Sequence, residues 1–304
     1  MREAVIFVVD GAKLEAMSVL LAASLARHTK AGNVALIAYV TEKTRKRLQR
    51  GSKDLYAACG VTVADLPVAK GVWQKKYPHG NKILACAEPR DCDRTTFLDT
   101  DMICLRQITD LSLPDPASLA AVPEGLPTWG KNGEAWTRAY GHFGLPVPEA
   151  RVTLTRGKRQ DFPPYFNAGF LSFPEKVAAH PDKTFGQLWL ETARDFDFNC
   201  AIADKRPWLD QVTLPLTLAR YGIPFHALSD LFNFSISERA RLGHTRKAAM
   251  IHYHKSEYLD AAALGGRIGD MVFEKLPPKR RDSMAAFLTQ FFPNLFSAAG
   301  FVSG

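Results

Sequence analysis

Two carboxylates one residue apart carry the strongest chemical signal in this sequence. Asp99 and Asp101, separated by Thr100, follow the β-forming run Thr95-Thr96-Phe97-Leu98 and precede Met102-Ile103-Cys104-Leu105. In Asp-x-Asp the two carboxylates can converge on one divalent cation, because alternate side chains of an extended segment share a face. Turn capping alone would also account for aspartates after a strand, since Asp is a favoured turn residue. The apolar flanks argue for more. Two buried carboxylates are costly without a cation or donors, and a metal or phosphate-linked role follows.

Other polar residues stand out against apolar surroundings. Lys82, after His79-Gly80-Asn81, leads into a helical stretch and can reach a phosphate or simply solvent. Tyr165-Phe166-Asn167-Ala168-Gly169-Phe170-Leu171-Ser172-Phe173 reads as a strand with Asn167 and Gly169 at its start. Asn167 offers donor and acceptor to a hydroxylated ligand, and Gly169 permits close backbone approach. A turn entering a strand accounts for both residues as well. Asp210-Gln211 heads a helix with Leu214, Leu218 and Tyr221, where a role as N-terminal capping acid would by itself account for Asp210. His252 closes a late strand over 248–253, either as a satisfied core residue or as a metal ligand.

These residues need a frame. Ala4 to Val9 reads as a buried strand ending in Asp10-Gly11, followed by a helix with Leu14, Met17, Leu21 and Leu25 on one face. A second strand (Asn33 to Thr41), a basic helix (Glu42 to Ala58) and a short third strand (Val61 to Val63) complete a βαβαβ opening. That pattern predicts an α/β fold: a mostly parallel, doubly wound sheet with helices on both faces, the usual frame for nucleotides. In such sheets ligands bind at the carboxyl ends of the strands, which is where Asp99 and Asp101 fall. There is no Gly-x-Gly-x-x-Gly and no Walker loop, which argues against dinucleotides and P-loop chemistry. The Gly-, Pro- and Trp-rich stretch from Pro114 to Pro164 is expected to supply variable loops that contact a second substrate.

The 304 residues can bury a sizeable core, and 46% hydrophobic with 23% charged residues is ordinary for a soluble globular protein. The five cysteines (Cys59, Cys86, Cys92, Cys104 and Cys200) are scattered, with no Cys-x-x-Cys. Neither a disulfide framework nor a zinc site is expected, and a reducing cytoplasm fits. The apolar run after Met1-Arg2-Glu3 is too short for a signal peptide. None of the apolar stretches approaches the roughly 18 residues of a membrane span. The net charge of +8 gathers in two places. Lys43, Arg45, Lys46, Arg47, Arg50 and Lys53 lie along one helix, as a solvated face or as a contact for an anion. Lys279-Arg280-Arg281 precedes Phe287, Leu288, Phe291, Phe292, Leu295 and Phe296 at helical spacing. That pattern describes either an amphipathic helix packed on the core or peripheral docking to an anionic membrane. No nucleic-acid module accompanies the charge, so no nucleic-acid partner is expected.

Taken in order, the motifs resemble the GT-A glycosyltransferases, most closely glycosyltransferase family 8. The likeness runs from residue 3 to about 255: a nucleotide-binding βαβ opening, Asp-x-Asp at Asp99 and Asp101, Phe-Asn-Ala-Gly at Phe166 to Gly169, Asp-Gln at Asp210-Gln211, and Ile-His at Ile251-His252. The resemblance implies a nucleoside-diphosphate-sugar donor, a UDP-sugar by preference, held with Mn²⁺ or Mg²⁺. Asp99, Asp101 and His252 would be the metal ligands. Val9, Asp10, Lys82, Asp99, Thr100, Asn167, Ala168, Gly169 and Lys255 would bind the donor. Asp210 and Gln211 would flank the reacting carbon, with retention of anomeric configuration. Family members usually continue His-x-x-Gly-x-x-Lys-Pro. Here His252 is followed by Tyr253-His254-Lys255-Ser256, and Lys255 stands in as a substitute for the phosphate-binding lysine.

The expectation is therefore a single GT-A domain over 1–304. Residues 1–110 would form the nucleotide-binding half, and 111–304 the acceptor half with its C-terminal helix. The acceptor stays open among a glycan, a lipid-linked saccharide and a protein hydroxyl. A cytoplasmic location is expected, with a peripheral place on the inner membrane face as the alternative. A sugar-1-phosphate nucleotidyltransferase would need a Gly-rich basic loop after the first strand, which Asp10-Gly11-Ala12-Lys13 does not supply. A basic, non-catalytic nucleotide- or RNA-binding protein is the rival from another class.

Overall fold

Every residue of the first strand, β1 (Glu3–Val9), is buried, as befits a strand covered on both faces. It is one of twelve strands in a computed structural model that describes residues 1–29, 34–236, 247–261 and 264–296. The others are β2 (Val34–Thr41), β3 (Val61–Leu66), β4 (Arg94–Leu98), β5 (Met102–Cys104), β6 (Leu119–Pro123), β7 (Val152–Thr153), β8 (Asp161–Phe162), β9 (Phe166–Pro174), β10 (Phe225–Ala227), β11 (Phe234–Ser235) and β12 (Met250–His252). A mostly parallel seven-stranded sheet runs in the order β10-β6-β9-β4-β1-β2-β3, with β1 parallel to β4 and β9 antiparallel to β6. A second sheet has the order β11-β12-β5, with β12 parallel to β11 and antiparallel to β5. The expected α/β class is therefore correct.

By contacts the chain divides into two compact units, each discontinuous in sequence. Unit 1 comprises 1–6, 66–97 and 112–230. Its helices include α4 (Asn81–Ala87), α5 (Glu134–His142), α6 (Phe185–Asn199) and α7 (Leu209–Arg220). Helix α6 opens with a capping box, in which Thr184 Oγ1 accepts from the Gln187 N–H and the Gln187 side chain accepts from the Thr184 N–H. It packs on both α4 and α7. Gly186 makes the first contact feasible, because a Cβ there would lie 1.9 Å from the Cys86 carbonyl oxygen. The stretch from Pro114 to Pro164 is not loop throughout, as expected from its composition, but carries β6, α5 and the β7–β8 hairpin. Its tryptophans are core residues: Trp129 and Trp136 pack edge-to-face at 4.7 Å, and Trp136 meets Tyr165 at 5.4 Å. Glycine and proline there punctuate short elements.

Unit 2 comprises 7–65, 98–111 and 231–304, described as far as 296. Helix α1 (Ala12–His28) is buried over most of its length and packs on β5, where Ser24 Oγ accepts the Cys104 N–H at 3.0 Å. The basic helix expected over 42–58 is two helices, α2 (Glu42–Arg45) and α3 (Arg50–Ala58). The break has a tertiary cause: the Gln49 N–H donates to the buried Glu15 of α1 at 2.7 Å, and Leu48 turns into the core. Lys46 pairs with Glu42 and Arg45 with Asp65, and Lys43, Arg47, Arg50 and Lys53 are exposed, so this charge forms a solvated face.

The C-terminal aromatics resolve the other basic cluster. Phe287, Leu288, Phe292, Leu295 and Phe296 are all buried, and the helix Pro278–Thr289 packs on α3 with Arg280 paired to Asp54 at 2.8 Å. The face marked by these residues packs into the core of unit 2. Among the described residues no helix is long and apolar enough to cross a membrane.

Candidate functional site

In unit 2 the Asp-x-Asp segment is the turn between Leu98 and β5, not an extended strand. Strand β12 runs antiparallel to β5 with Ile251 opposite Ile103 and His252 opposite Met102, and the Tyr253 N–H donates to the Asp101 carbonyl at 3.0 Å. This register brings His252 Nε2 to 3.1 Å from Asp101 Oδ1. On its other side, His252 Nδ1 lies 2.9 Å from Asn233 Oδ1, so the ring N–H points to Asn233 and Nε2 faces the carboxylate. A lone pair facing a carboxylate oxygen at that distance needs a cation or a proton between them. Burial opposes ionisation of Asp101, but the charge and hydrogen bond of His252, with His254 adding to them, hold its carboxyl well below the usual range.

His254 stands beside this pair. Its ring centroid lies 3.9 Å from that of His252, and its Nε2 is 2.8 Å from Ser235 Oγ. Asp101, His252 and His254 each offer a ligand atom, all within 4.8 Å of one another, and could together hold a metal ion. Asp99, expected as a ligand, is not in this group, and Thr100 is buried beside it. Lys255 is exposed, with its ammonium 5.7 Å from the Tyr258 ring centre. Elsewhere in unit 2, Val9 is buried and Asp10 accepts from Thr41 Oγ1 at 2.9 Å, while the Gly11 N–H donates to Thr44 Oγ1 at 2.7 Å. Gly11, at φ 94°, supplies the bend that starts α1.

Unit 1 gathers the remaining sequence-selected residues into one polar network. Lys82 Nζ lies 3.0 Å from Asp210 Oδ2, with the two side chains only 9% and 6% exposed, and donates to the Ala168 carbonyl at 3.1 Å. Asp210 is not a cap. Trp208 holds that position, and Asp210 turns to Tyr77, whose hydroxyl donates to Oδ1 at 2.7 Å and accepts the Asp210 N–H at 3.1 Å. Burial, with the Asp210 carboxylate adding to it, pushes the Tyr77 phenol well above its ordinary value, so it remains a donor. Gln211 is held at both ends, accepting from the Tyr165 hydroxyl at 3.0 Å and donating to Glu124 Oε2 at 2.9 Å. Asn167 donates to the same Glu124 oxygen at 3.1 Å, and its Oδ1 accepts the Gly169 N–H at 3.0 Å.

Five participants, Tyr77, Glu124, Asn233, Ser235 and His254, stand outside the motifs of the sequence. Glu124 follows the buried run Leu119–Pro123, the same acid-after-strand signal that marks Asp99. His254 lies two residues beyond His252, a spacing that shares one face of a strand. Tyr77 offered no local signal, since its role depends on a partner on α7.

Comparison with known proteins follows the same lines. A family model described as the Rhodobacterales glycosyltransferase domain matches residues 5–222. No curated protein matches the chain in sequence. Among solved structures, the chain is similar to the bifunctional glycosyltransferase WbbM (TM-score 0.54, 13% identity), covering 97% of this chain but only 51% of that protein. It is also similar to the galactosyltransferase LgtC in complex with donor and acceptor sugar analogues (TM-score 0.53, 16% identity, 92% of this chain and 99% of that one). An active-site mutant of LgtC matches equally (TM-score 0.55, 16% identity, 91% and 99%). At these identities the likeness is one of fold, and the fold is that of the GT-A glycosyltransferases.

Proposed function

The chain belongs to the Rhodobacterales glycosyltransferase family, and from that premise we propose that it moves a hexose from a UDP-sugar to a hydroxyl acceptor, with a divalent cation and with retention of configuration. The observation that carries the cation is the His252–Asp101 approach, a buried imidazole nitrogen facing a carboxylate oxygen at 3.1 Å and oriented from behind by Asn233. Asp99, Asp101 and His252 would hold the ion. Bound there, Mn²⁺ or Mg²⁺ supplies positive charge to the diphosphate that leaves when the sugar–phosphate bond breaks.

The remaining roles belong to side chains. Val9, Asp10, Asp99 and Thr100 contact the nucleoside and ribose, and Lys255 meets a phosphate. Lys82, Asn167, Ala168 and Gly169 present an ammonium, an amide and backbone groups to the sugar hydroxyls. Asp210 lies beside Lys82, and it and the Gln211 carbonyl stabilise positive charge developing at the anomeric carbon. Their anchoring by Tyr77, Tyr165 and Glu124 supports this assignment, because electrostatic stabilisation depends on groups that need no reorganisation. LgtC takes donor and acceptor sugar analogues, which supports a two-substrate reaction here. The five scattered cysteines, with no Cys-x-x-Cys among them, fit a reducing cytoplasm.

The test is a thermal-shift panel of nucleotide sugars with and without Mn²⁺ on the full chain. A ligand at about 100 times its Kd stabilises by about 2.7 kcal/mol, so the donor should stand out, and Asp101→Asn should erase the metal-dependent part. A flat panel together with no metal-dependent release of nucleoside diphosphate would refute the proposal.

A further inference from the structure

His254 has a geometry that needs a reason. It is one of three described non-glycine residues with positive φ, at 54°, and the Lys255 N–H donates to the Tyr253 carbonyl across it, closing a three-residue turn. The turn leaves its ring 3.9 Å, centre to centre, from that of His252 and inclined by 34°. Each imidazole also has a partner from one short segment: Asn233 at 2.9 Å for His252 and Ser235 at 2.8 Å for His254. Metal-bound histidines are characteristically oriented in this way by a hydrogen bond from the far ring nitrogen or its neighbourhood. Strand β11, parallel to β12 with Ser235 opposite His252, supplies that support.

We infer that His254 joins Asp101 and His252 in the protein's cation site, its second imidazole favouring Mn²⁺ and later first-row cations over Mg²⁺. The inference rests on the cation-dependent reading above. Asp101, His252 and His254 bring their ligand atoms within 4.8 Å of one another. Mg²⁺ demands oxygen ligands in near-ideal octahedral geometry and dehydrates reluctantly. Imidazole suits Mn²⁺ less than it suits zinc or copper, but far better than it suits Mg²⁺. The chain also lacks the glycine and Lys-Pro that relatives of this type carry after the late histidine, and His254 falls in that altered segment.

The test uses the full chain, stripped by chelation and reloaded with Mn²⁺, with and without UDP. Electron spin-echo spectroscopy of the bound Mn²⁺ should show nitrogen couplings from two imidazoles. His254→Ala should leave one coupling and weaken Mn²⁺ binding at least about tenfold, with Mg²⁺ affinity changing much less. His254→Asn, which tolerates positive φ, guards against an effect of the turn and should lose the same coupling. A single coupling in the unaltered chain, or no change in either His254 variant while Asp101→Asn abolishes binding, overturns the role of His254 and leaves the cation reading intact. Mn²⁺ binding that survives Asp101→Asn, or no Mn²⁺ binding with or without UDP, overturns the cation reading itself.

Discussion

Removing one member of the Lys82–Asp210 pair should be among the most damaging single changes in unit 1. Both side chains are more than nine-tenths buried and the charged atoms are 3.0 Å apart. An exposed pair at this distance would be worth about 0–1 kcal/mol, but a buried one leaves an uncompensated charge when broken, at a cost of about 3–5 kcal/mol. In Lys82→Met the Asp210 carboxylate keeps the Tyr77 hydroxyl at 2.7 Å, which places this variant near the lower end, about 3 kcal/mol. In Asp210→Leu the ammonium keeps the Ala168 carbonyl at 3.1 Å, a neutral acceptor, so the loss should be larger. The double variant removes both charges and should recover most of the stability, giving a coupling of at least about 2 kcal/mol in a double-mutant cycle. Urea unfolding midpoints of the four proteins measure this directly. A loss below about 1 kcal/mol for Lys82→Met, or additive losses in the double variant, would refute a buried, mutually dependent pair.

Three further outcomes follow from the packing. Gly186→Ala should destabilise at the upper end of the ~1–3 kcal/mol typical of overpacking, because the added Cβ meets the Cys86 carbonyl, a backbone atom, at 1.9 Å; an unchanged melting temperature would contradict the α4–α6 contact. Phe292→Ala should cost about 3–5 kcal/mol, since Phe292 is fully buried and packs on Tyr253 at 6.2 Å; a loss near zero would return these aromatics to a surface role. Burial raises the folded-state pKa of Glu15, so the fold holds that proton more tightly than the unfolded chain does. Its contribution to stability is full below the ordinary carboxylate range and is lost as pH rises through the raised value. Glu15→Gln should therefore be the more stable protein at neutral pH, and urea midpoints should converge as pH falls into that range; a gap that widens on acidification has the wrong sign.

Much of this arrangement was legible in the sequence, and the gaps have physical causes. The unbroken apolar run of β1 marked a strand buried on both faces, and Asp99 and Asp101 fell at a strand's carboxyl end as expected. Lys82, Asn167, Asp210 and Gln211 could be selected one by one as polar residues in apolar surroundings, and Gly169 as a point of close backbone approach. Their pairings could not, because Tyr77 and Asp210, or Glu124 and Gln211, are brought together only by the fold. The break between α2 and α3 was invisible for the same reason, since its cause is Glu15 on another helix. Asp99 and Asp101 read as co-facial in an extended segment, but the segment turns at Thr100, and a second turn brings the His254 ring to 3.9 Å from that of His252. At the C-terminus the spacing of Phe287, Phe292 and Phe296 suits a buried face and a membrane face equally, and only their burial distinguishes the two.

The most direct measurement is proton NMR of UDP-hexoses incubated with the full chain and an acceptor panel, with Mn²⁺ and then with excess chelator. Turnover should require the cation, the new glycosidic linkage should keep the anomeric configuration of the donor, and Asp101→Asn should abolish it. Transfer that continues under chelation, or a product of inverted configuration, would contradict the proposed cation-dependent, retaining chemistry.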